Sequence, residues 1–312
     1  MKCLLVQPIH ADGIAVLRTA GIDVIACPAA DMETVARALP GCAAVITRNA
    51  GLSGPAMRAG DALRVVVVHG TGYDHVDMAV AGERGVLVCN TPGLNARSVA
   101  ELALGLALAA ARRIPAADRS ERRGETGFRE AERFVELGGK TALVVGWGAV
   151  GSRLGRMLAA GLGMKVLVHS RSAGDFERVA TLAEGLARAD LISLHTPLTP
   201  QTRGMIGAEA LARVRPGALL VNTARAGLVD EVALAAAIDS GRIAAAALDD
   251  HSPGAPTGPL ATSGRVIFTP HLGGTTEEAL RRVAIEAARH VVTALSGGRP
   301  ATALNDPGSL HP

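Results

Sequence analysis

Short runs of aliphatic residues recur along the first hundred positions, each followed by a stretch long enough for a helix: Cys3–Val6, Asp23–Ala26, Ala43–Thr47, Val65–Val68 and Val86–Cys89. These runs are apolar at consecutive rather than alternate positions. That is the pattern of strands buried on both faces, and the helix-length spacers supply the crossovers of a parallel sheet. An Ala- and Leu-rich stretch from Ala96 to Arg113 reads as one long helix stopped by Pro115, bridging two domains. From Lys140 the alternation resumes with Thr141–Val145, Val166–His169, Leu191–Leu194, Leu219–Asn222, Ala245–Leu248 and Val266–Thr269. Glu277 to Leu295 is an amphipathic helix ended by Gly297-Gly298-Arg299-Pro300, and it is expected to return to the first domain.

Composition narrows this picture. A chain of 312 residues exceeds the usual size of one core, so two domains are expected. Hydrophobic residues make up 48% and aromatics 2%, so Ala, Val, Leu and Ile must build the cores. The net charge of +3 comes from 32 basic and 29 acidic residues spread along the chain, which predicts no nucleic-acid partner. Cys3, Cys27, Cys42 and Cys89 form no C-x-x-C pair, which argues against a metal or redox site and for a reducing compartment. Met1 to Val6 enters a strand without a charged leader, and the longest apolar run, Leu102 to Ala111, is about half of the roughly 20 residues a membrane span needs. A soluble, cytoplasmic protein without membrane contact is expected.

The chemistry lies in the second half. Gly146-x-Gly148-x-x-Gly151 follows a strand and opens a helix, the context in which this spacing binds a dinucleotide. Gly146 allows the tight turn, Gly148 lets backbone approach pyrophosphate, and Gly151 permits close packing. Ala149 and Val150 complete the loop, and the helix N-terminus supplies amides. An acidic residue about 20 positions on would receive the ribose hydroxyl of NAD. Here the strand ends in His169-Ser170-Arg171-Ser172, which favours NADP, with NAD as the alternative. Arg225 follows Leu219–Asn222 at a carboxyl edge, where a guanidinium can grip a 2-oxo acid carboxylate through two parallel hydrogen bonds. His271 follows Val266–Thr269 and Pro270, ahead of Gly273 and Gly274 on the cofactor's side; an imidazole suits proton exchange with a carbonyl oxygen. His69 and His195 end strands and shape the cleft, while His10, His290 and His311 lie outside any motif. Backbone amides of Gly70-Thr71-Gly72 are placed to hold a carboxylate. Arg48 either faces a second anionic group on the substrate or is an exposed loop residue.

In these motifs the sequence resembles the D-isomer-specific 2-hydroxyacid dehydrogenases. The matching stretches are Gly70 to Asp77, Asn90-Thr91-Pro92-Gly93 with Ser98 to Ala103, the glycine fingerprint, Leu194 to Thr199, Asn222 to Glu231 and Pro270 to Gly274. The resemblance implies an α/β fold of two doubly wound parallel-sheet domains. A Rossmann dinucleotide-binding domain over 98–285 is inserted into a smaller flavodoxin-like substrate domain over 1–97 and 286–312. It implies that Thr71, Ala149, Val150, Thr196, Thr223, Ala224 and Asp249 contact the cofactor, that Arg225 orients a small 2-oxo acid, that His271 is the acid/base, and that the chain forms a homodimer through the bridging helix and its neighbours.

One departure matters. The family usually carries a glutamate a few residues after the Leu-Asp pair, just before a proline, to hold the catalytic histidine. This chain reads Asp249-Asp250-His251-Ser252-Pro253-Gly254-Ala255-Pro256. Loss of that partner should lower the pKa of His271. Either Asp250 or His251 substitutes and an active dehydrogenase results, or the chain is a nucleotide-sensing, corepressor-like binding protein with little turnover.

Overall fold

Four consecutive valines, Val65–Val68, form the fourth strand of the chain, and all four are buried. Such a strand can exist only where both faces of its sheet are covered. The computed structural model describes residues 1–306; residues 307–312, with His311, lie outside the described part. It divides the chain into two units, one of residues 1–95 with the chain from Gly274 onward, the other of Ala96–Gly273.

The first unit holds β1 (Lys2–Leu5), β2 (Asp23–Ala26), β3 (Ala44–Thr47), β4 (Val65–Val68) and β5 (Leu87–Cys89), all parallel, in the order β2-β1-β3-β4-β5. This is the flavodoxin-like doubly wound order. Alternate side chains feed two cores. Leu4, Val45, Val66 and Val68 face one side. Leu5, Ile46, Val65 and Val67 face the other, where Ala287, Ala288 and Val291 of the helix Glu277–Leu295 cover them. The whole of that helix belongs to the first unit, and the division falls at Gly274, earlier than the expected residue 286. Its pairing with the helix Ala11–Thr19 explains why: a Cβ on Gly13 would stand 2.6 Å from the Ala284 carbonyl oxygen, so the two backbones are in direct contact.

The second unit holds β6 (Thr141–Val145), β7 (Lys165–His169), β8 (Glu177–Arg178), β9 (Leu191–Leu194), β10 (Ala218–Asn222), β11 (Ile243–Leu248) and β12 (Val266–Phe268), ordered β12-β11-β10-β9-β6-β7-β8. All its pairings are parallel, and the order reverses between β6 and β9, the switch point of a Rossmann sheet. The edge strand β8 was not expected; it is two charged, exposed residues long and has no apolar run to betray it. The helix expected as a bridge runs Ala96–Ala111 and lies wholly in the second unit. Its small face, Ala100, Ala103, Ala107 and Ala110, packs with Leu219, Val221, Ala245 and Ala247 of the sheet. It ends before Arg113, whose φ of 53° breaks the helix two residues ahead of Pro115. Among the described residues, no helix is long and apolar enough to cross a membrane.

Candidate active site

The glycine fingerprint leaves the carboxyl end of β6 at the switch point. Gly146 has φ 97°, and a Cβ there would meet the His195 carbonyl oxygen at 2.5 Å. A Cβ on Gly151 would stand 2.0 Å from the Gly146 carbonyl oxygen, whereas one on Gly148 would meet nothing within 4 Å. Two glycines therefore close the turn and the middle one opens on to free space, as an approaching pyrophosphate requires. The helix Gly151–Leu162 begins without a side-chain cap; its Ser152 N–H is taken by the Gly148 carbonyl at 3.1 Å, and its positive end favours an anion. Nearby, the Thr223 hydroxyl and the Nδ1 of His169 are buried without a hydrogen-bond partner. Buried polar groups are rarely left so, and these residues fit a dinucleotide that would satisfy them.

The loop after β7 carries Ser170, Arg171 and Ser172, with no carboxylate before Asp175. Arg171 is exposed, and its carbonyl accepts a hydrogen bond from Arg178 on β8 at 3.1 Å. The unexpected edge strand thus ties the Arg178 guanidinium to the backbone of the Arg171 loop. Thr196 follows β9 directly after His195, whose Nε2 lies 2.8 Å from Ser193 Oγ and whose imidazole burial pushes down to about 4. His195 is accordingly held neutral, in keeping with a structural role.

The adjacent strands β10, β11 and β12 end at one edge in Arg225, the pair Asp249-Asp250, and His271. Arg225 sits in a loop fixed by Asn222, which donates to its carbonyl at 2.8 Å and accepts from the Ala224 N–H at 3.0 Å. Asp249 is buried and accepts from Thr269 Oγ1 at 2.6 Å, Leu272 N–H at 2.7 Å and Gly273 N–H at 2.9 Å. Gly273 lies close against that carboxylate, since a Cβ there would be 3.1 Å from Asp249 Oδ2; a Cβ on Gly274 would be 2.7 Å from Asn95 Nδ2. A side chain at Gly273 would press on the buried carboxylate, whereas one at Gly274 would meet only the end of the Asn95 side chain.

His271 has a carboxylate partner after all. Its Nδ1 lies 3.2 Å from Asp250 Oδ2. The hydrogen bond to Asp250 raises the imidazole above its ordinary value against the opposing effect of burial and the Arg225 charge. The expected lowering is thereby corrected: a carboxylate at another sequence position, Asp250, stands beside the ring. Asp250 itself is lowered despite burial, by His271, by the Ala226 N–H and by Arg225. His251 is not the substitute, for its ring packs edge-on against Phe268 at 5.1 Å and its Nδ1 lies 2.9 Å from the Ser252 carbonyl oxygen.

In the first unit, Arg48 and His69 follow the neighbouring strands β3 and β4, and His69 N–H donates to the Thr47 carbonyl at 2.8 Å. The half-buried Arg48 donates to the Pro8 carbonyl at 3.1 Å. His69 is buried, its Nε2 lacks a partner, and burial with the Arg48 charge pushes its imidazole down to about 4. The Gly70 N–H is not free for a ligand: it donates to Thr91 Oγ1 at 2.8 Å and to the Val68 carbonyl at 2.9 Å. That leaves Thr71 and Gly72 for such a role. Cys3, Cys42 and Cys89 are buried free thiols, and among the described residues no group of His, Cys, Asp and Glu is placed to hold a metal ion.

Residues 104–273 match the family model described as D-isomer specific 2-hydroxyacid dehydrogenase, NAD binding domain. The chain belongs to the D-isomer specific 2-hydroxyacid dehydrogenase family. It is 41% identical over 288 residues to D-3-phosphoglycerate dehydrogenase of Mycobacterium tuberculosis, covering 90% of this chain and 54% of that protein. It is 36% identical over 264 residues to hydroxypyruvate reductase of Thermotoga maritima, covering 82% of this chain and 86% of that one. The NAD+-bound 3-phosphoglycerate dehydrogenase of Entamoeba histolytica superposes with a TM-score of 0.84 at 27% identity over 98% of each chain. The chain thus spans little more than half the length of the curated phosphoglycerate dehydrogenases it matches.

Proposed function

We propose that this family member is an NAD(P)-dependent oxidoreductase acting at C2 of a small 2-oxo or D-2-hydroxy acid of the hydroxypyruvate, glyoxylate or phosphoglycerate class. The observation that carries the reading is the row Arg225, Asp250 and His271 at the ends of three adjacent strands, with the histidine raised by its carboxylate. The bound nicotinamide supplies the hydride that C2 accepts in reduction. The Arg225 guanidinium holds the substrate carboxylate and its carbonyl oxygen by two parallel hydrogen bonds, which also draws electrons from C2. His271 gives its proton to that oxygen as it becomes a hydroxyl, and takes one back in oxidation. Arg48, Thr71 and Gly72 are further substrate-binding candidates. Gly146, Gly148, Ala149, Val150, Gly151, Thr196, Thr223 and Ala224 serve the cofactor.

The nucleotide-sensing alternative rested on a missing carboxylate, and Asp250 beside His271 weighs against it. Among cofactors the reading favours NADP, because the loop after β7 carries Ser170 and Arg171 and no carboxylate before Asp175. A homodimer in the cytoplasm completes the proposal. The test is oxidation of NADPH and NADH by the purified protein with glyoxylate, hydroxypyruvate, pyruvate, 2-oxoglutarate and phosphohydroxypyruvate. Turnover that falls by about 10²–10⁴-fold in His271→Ala supports the reading, and Arg171→Ala should erode any preference for NADPH. Absence of turnover with every acid, although nucleotide binds, would refute it.

A further inference from the structure

Two carboxylates leave consecutive positions at the end of β11 and reach the same histidine by different routes. Consecutive residues of an extended chain point to opposite sides, which lets neighbouring carboxylates find different targets. Asp249 grips the backbone on the far side of His271 through the N–H groups of Leu272 and Gly273, and ties the near side through Thr269 Oγ1. The His271 N–H also donates to the Asp249 carbonyl at 3.0 Å. This matters because His271 has φ 56°, one of two non-glycine residues with positive φ among the described residues. An L-residue stays there only where surrounding contacts over-determine it.

The imidazole held in that conformation meets the carboxylate of Asp250 at 3.2 Å. The Ala226 N–H and the Arg225 charge also favour the Asp250 carboxylate, so its electrostatics link the arginine's loop to the histidine's ring. The turn beyond Asp250 is fastened in its own right. Glu231, at the start of the helix Glu231–Asp239, accepts the Ser252 N–H at 2.7 Å with one oxygen and the Ser252 hydroxyl with the other.

We infer that Asp250 is a positioning residue that takes over the task of the absent family glutamate, and that Glu231, acting through Ser252, holds the turn from which it works. The inference rests on the proposed acid/base role of His271. A carboxylate on Nδ1 makes that nitrogen the N–H and leaves Nε2 to exchange a proton with substrate. The charged groups facing the ring are Asp250, Asp249 and Arg225; the first two favour the imidazolium and the third opposes it.

The deciding measurement is the titration of the His271 ring by NMR in the full-length protein, wild type against Asp250→Asn, Asp250→Glu and Glu231→Gln, beside the pH profile of kcat for reduction. The wild-type ring should titrate above the ordinary histidine value. Asp250→Asn, nearly the same shape without the charge, should bring it down and move the alkaline limb of the profile to lower pH, with kcat at pH 8 reduced on the order of tenfold or more. Glu231→Gln should move both in the same direction by less, and Asp250→Glu should restore part of the shift. A ring titration unchanged in Asp250→Asn, with kcat lowered equally at every pH, would mark Asp250 as merely structural and overturn the inference. If the ring shifts as described while no acid is turned over, the pairing stands and the dehydrogenase reading fails, so the two ideas are separately exposed.

Discussion

A Cβ added to Gly151 would lie 2.0 Å from the carbonyl oxygen of Gly146, so the last glycine of the fingerprint packs directly on the backbone of the first. The turn that would cradle a pyrophosphate and the helix that would face it are a single unit. Gly151→Ala must push them apart. Nucleotide affinity should fall by at least about tenfold, roughly 1.4 kcal/mol, within the range of overpacking costs. Quenching of Trp147, the chain's only tryptophan and itself in the fingerprint, measures it.

Arg225→Lys keeps the positive charge and loses the planar fork. If Arg225 grips a carboxylate and a carbonyl oxygen together, KM for the 2-oxo acid should rise on the order of ten- to hundredfold while nucleotide affinity stays the same. Steady-state kinetics with a separate nucleotide titration would show it. Equal loss of both would place Arg225 in the cofactor site instead.

Acid should destabilise this fold before its carboxylates titrate. His69 and His195 are held near 4 in the folded chain, against an ordinary value of 6.5, and His290 is lowered as well. Between those limits the unfolded chain binds more protons than the folded one. The stability contributed by keeping these rings neutral is therefore complete above about 6.5 and lost as pH falls toward about 4. Thermal melts across pH 7 to 4 should show a falling Tm, and His69→Gln should flatten the fall.

Two helical glycines should respond oppositely to alanine. Gly13→Ala drives a methyl into the Ala284 backbone and should cost about 1–3 kcal/mol. Gly105, exposed in the helix Ala96–Ala111 with nothing within 4 Å of its would-be Cβ, should gain roughly 0.5–1 kcal/mol. Denaturant unfolding of both variants reads the difference.

What the sequence disclosed follows from how much local chemistry each feature needs. Strand β4 was legible because a strand buried on both faces must be apolar throughout, and Val65–Val68 is. The charged pair Glu177–Arg178 was illegible because an edge strand needs only backbone pairing to β7. The amphipathic face of Glu277–Leu295 was plain and its return to the first unit was expected, but a periodicity does not mark where a domain begins, so a boundary drawn at 286 cuts through a helix that lies whole in the first unit. In the site, Arg225 and His271 announced themselves by standing at strand ends inside known motifs. The partner of His271 did not: Asp250 and His251 are neighbours in sequence, and only the turn pinned by Glu231 decides which faces the ring.

The first unit is also interrupted in time. Its sheet is encoded within the first ninety residues, yet part of one face is covered by Ala287, Ala288 and Val291, nearly two hundred positions later. The second unit is continuous from Ala96 to Gly273 and can close before that helix has been made. Domains generally fold in the order in which the ribosome delivers them. Here the order is inverted: the unit begun first must wait for Glu277–Leu295, made after the whole second unit, to cover the aliphatic surface of its sheet.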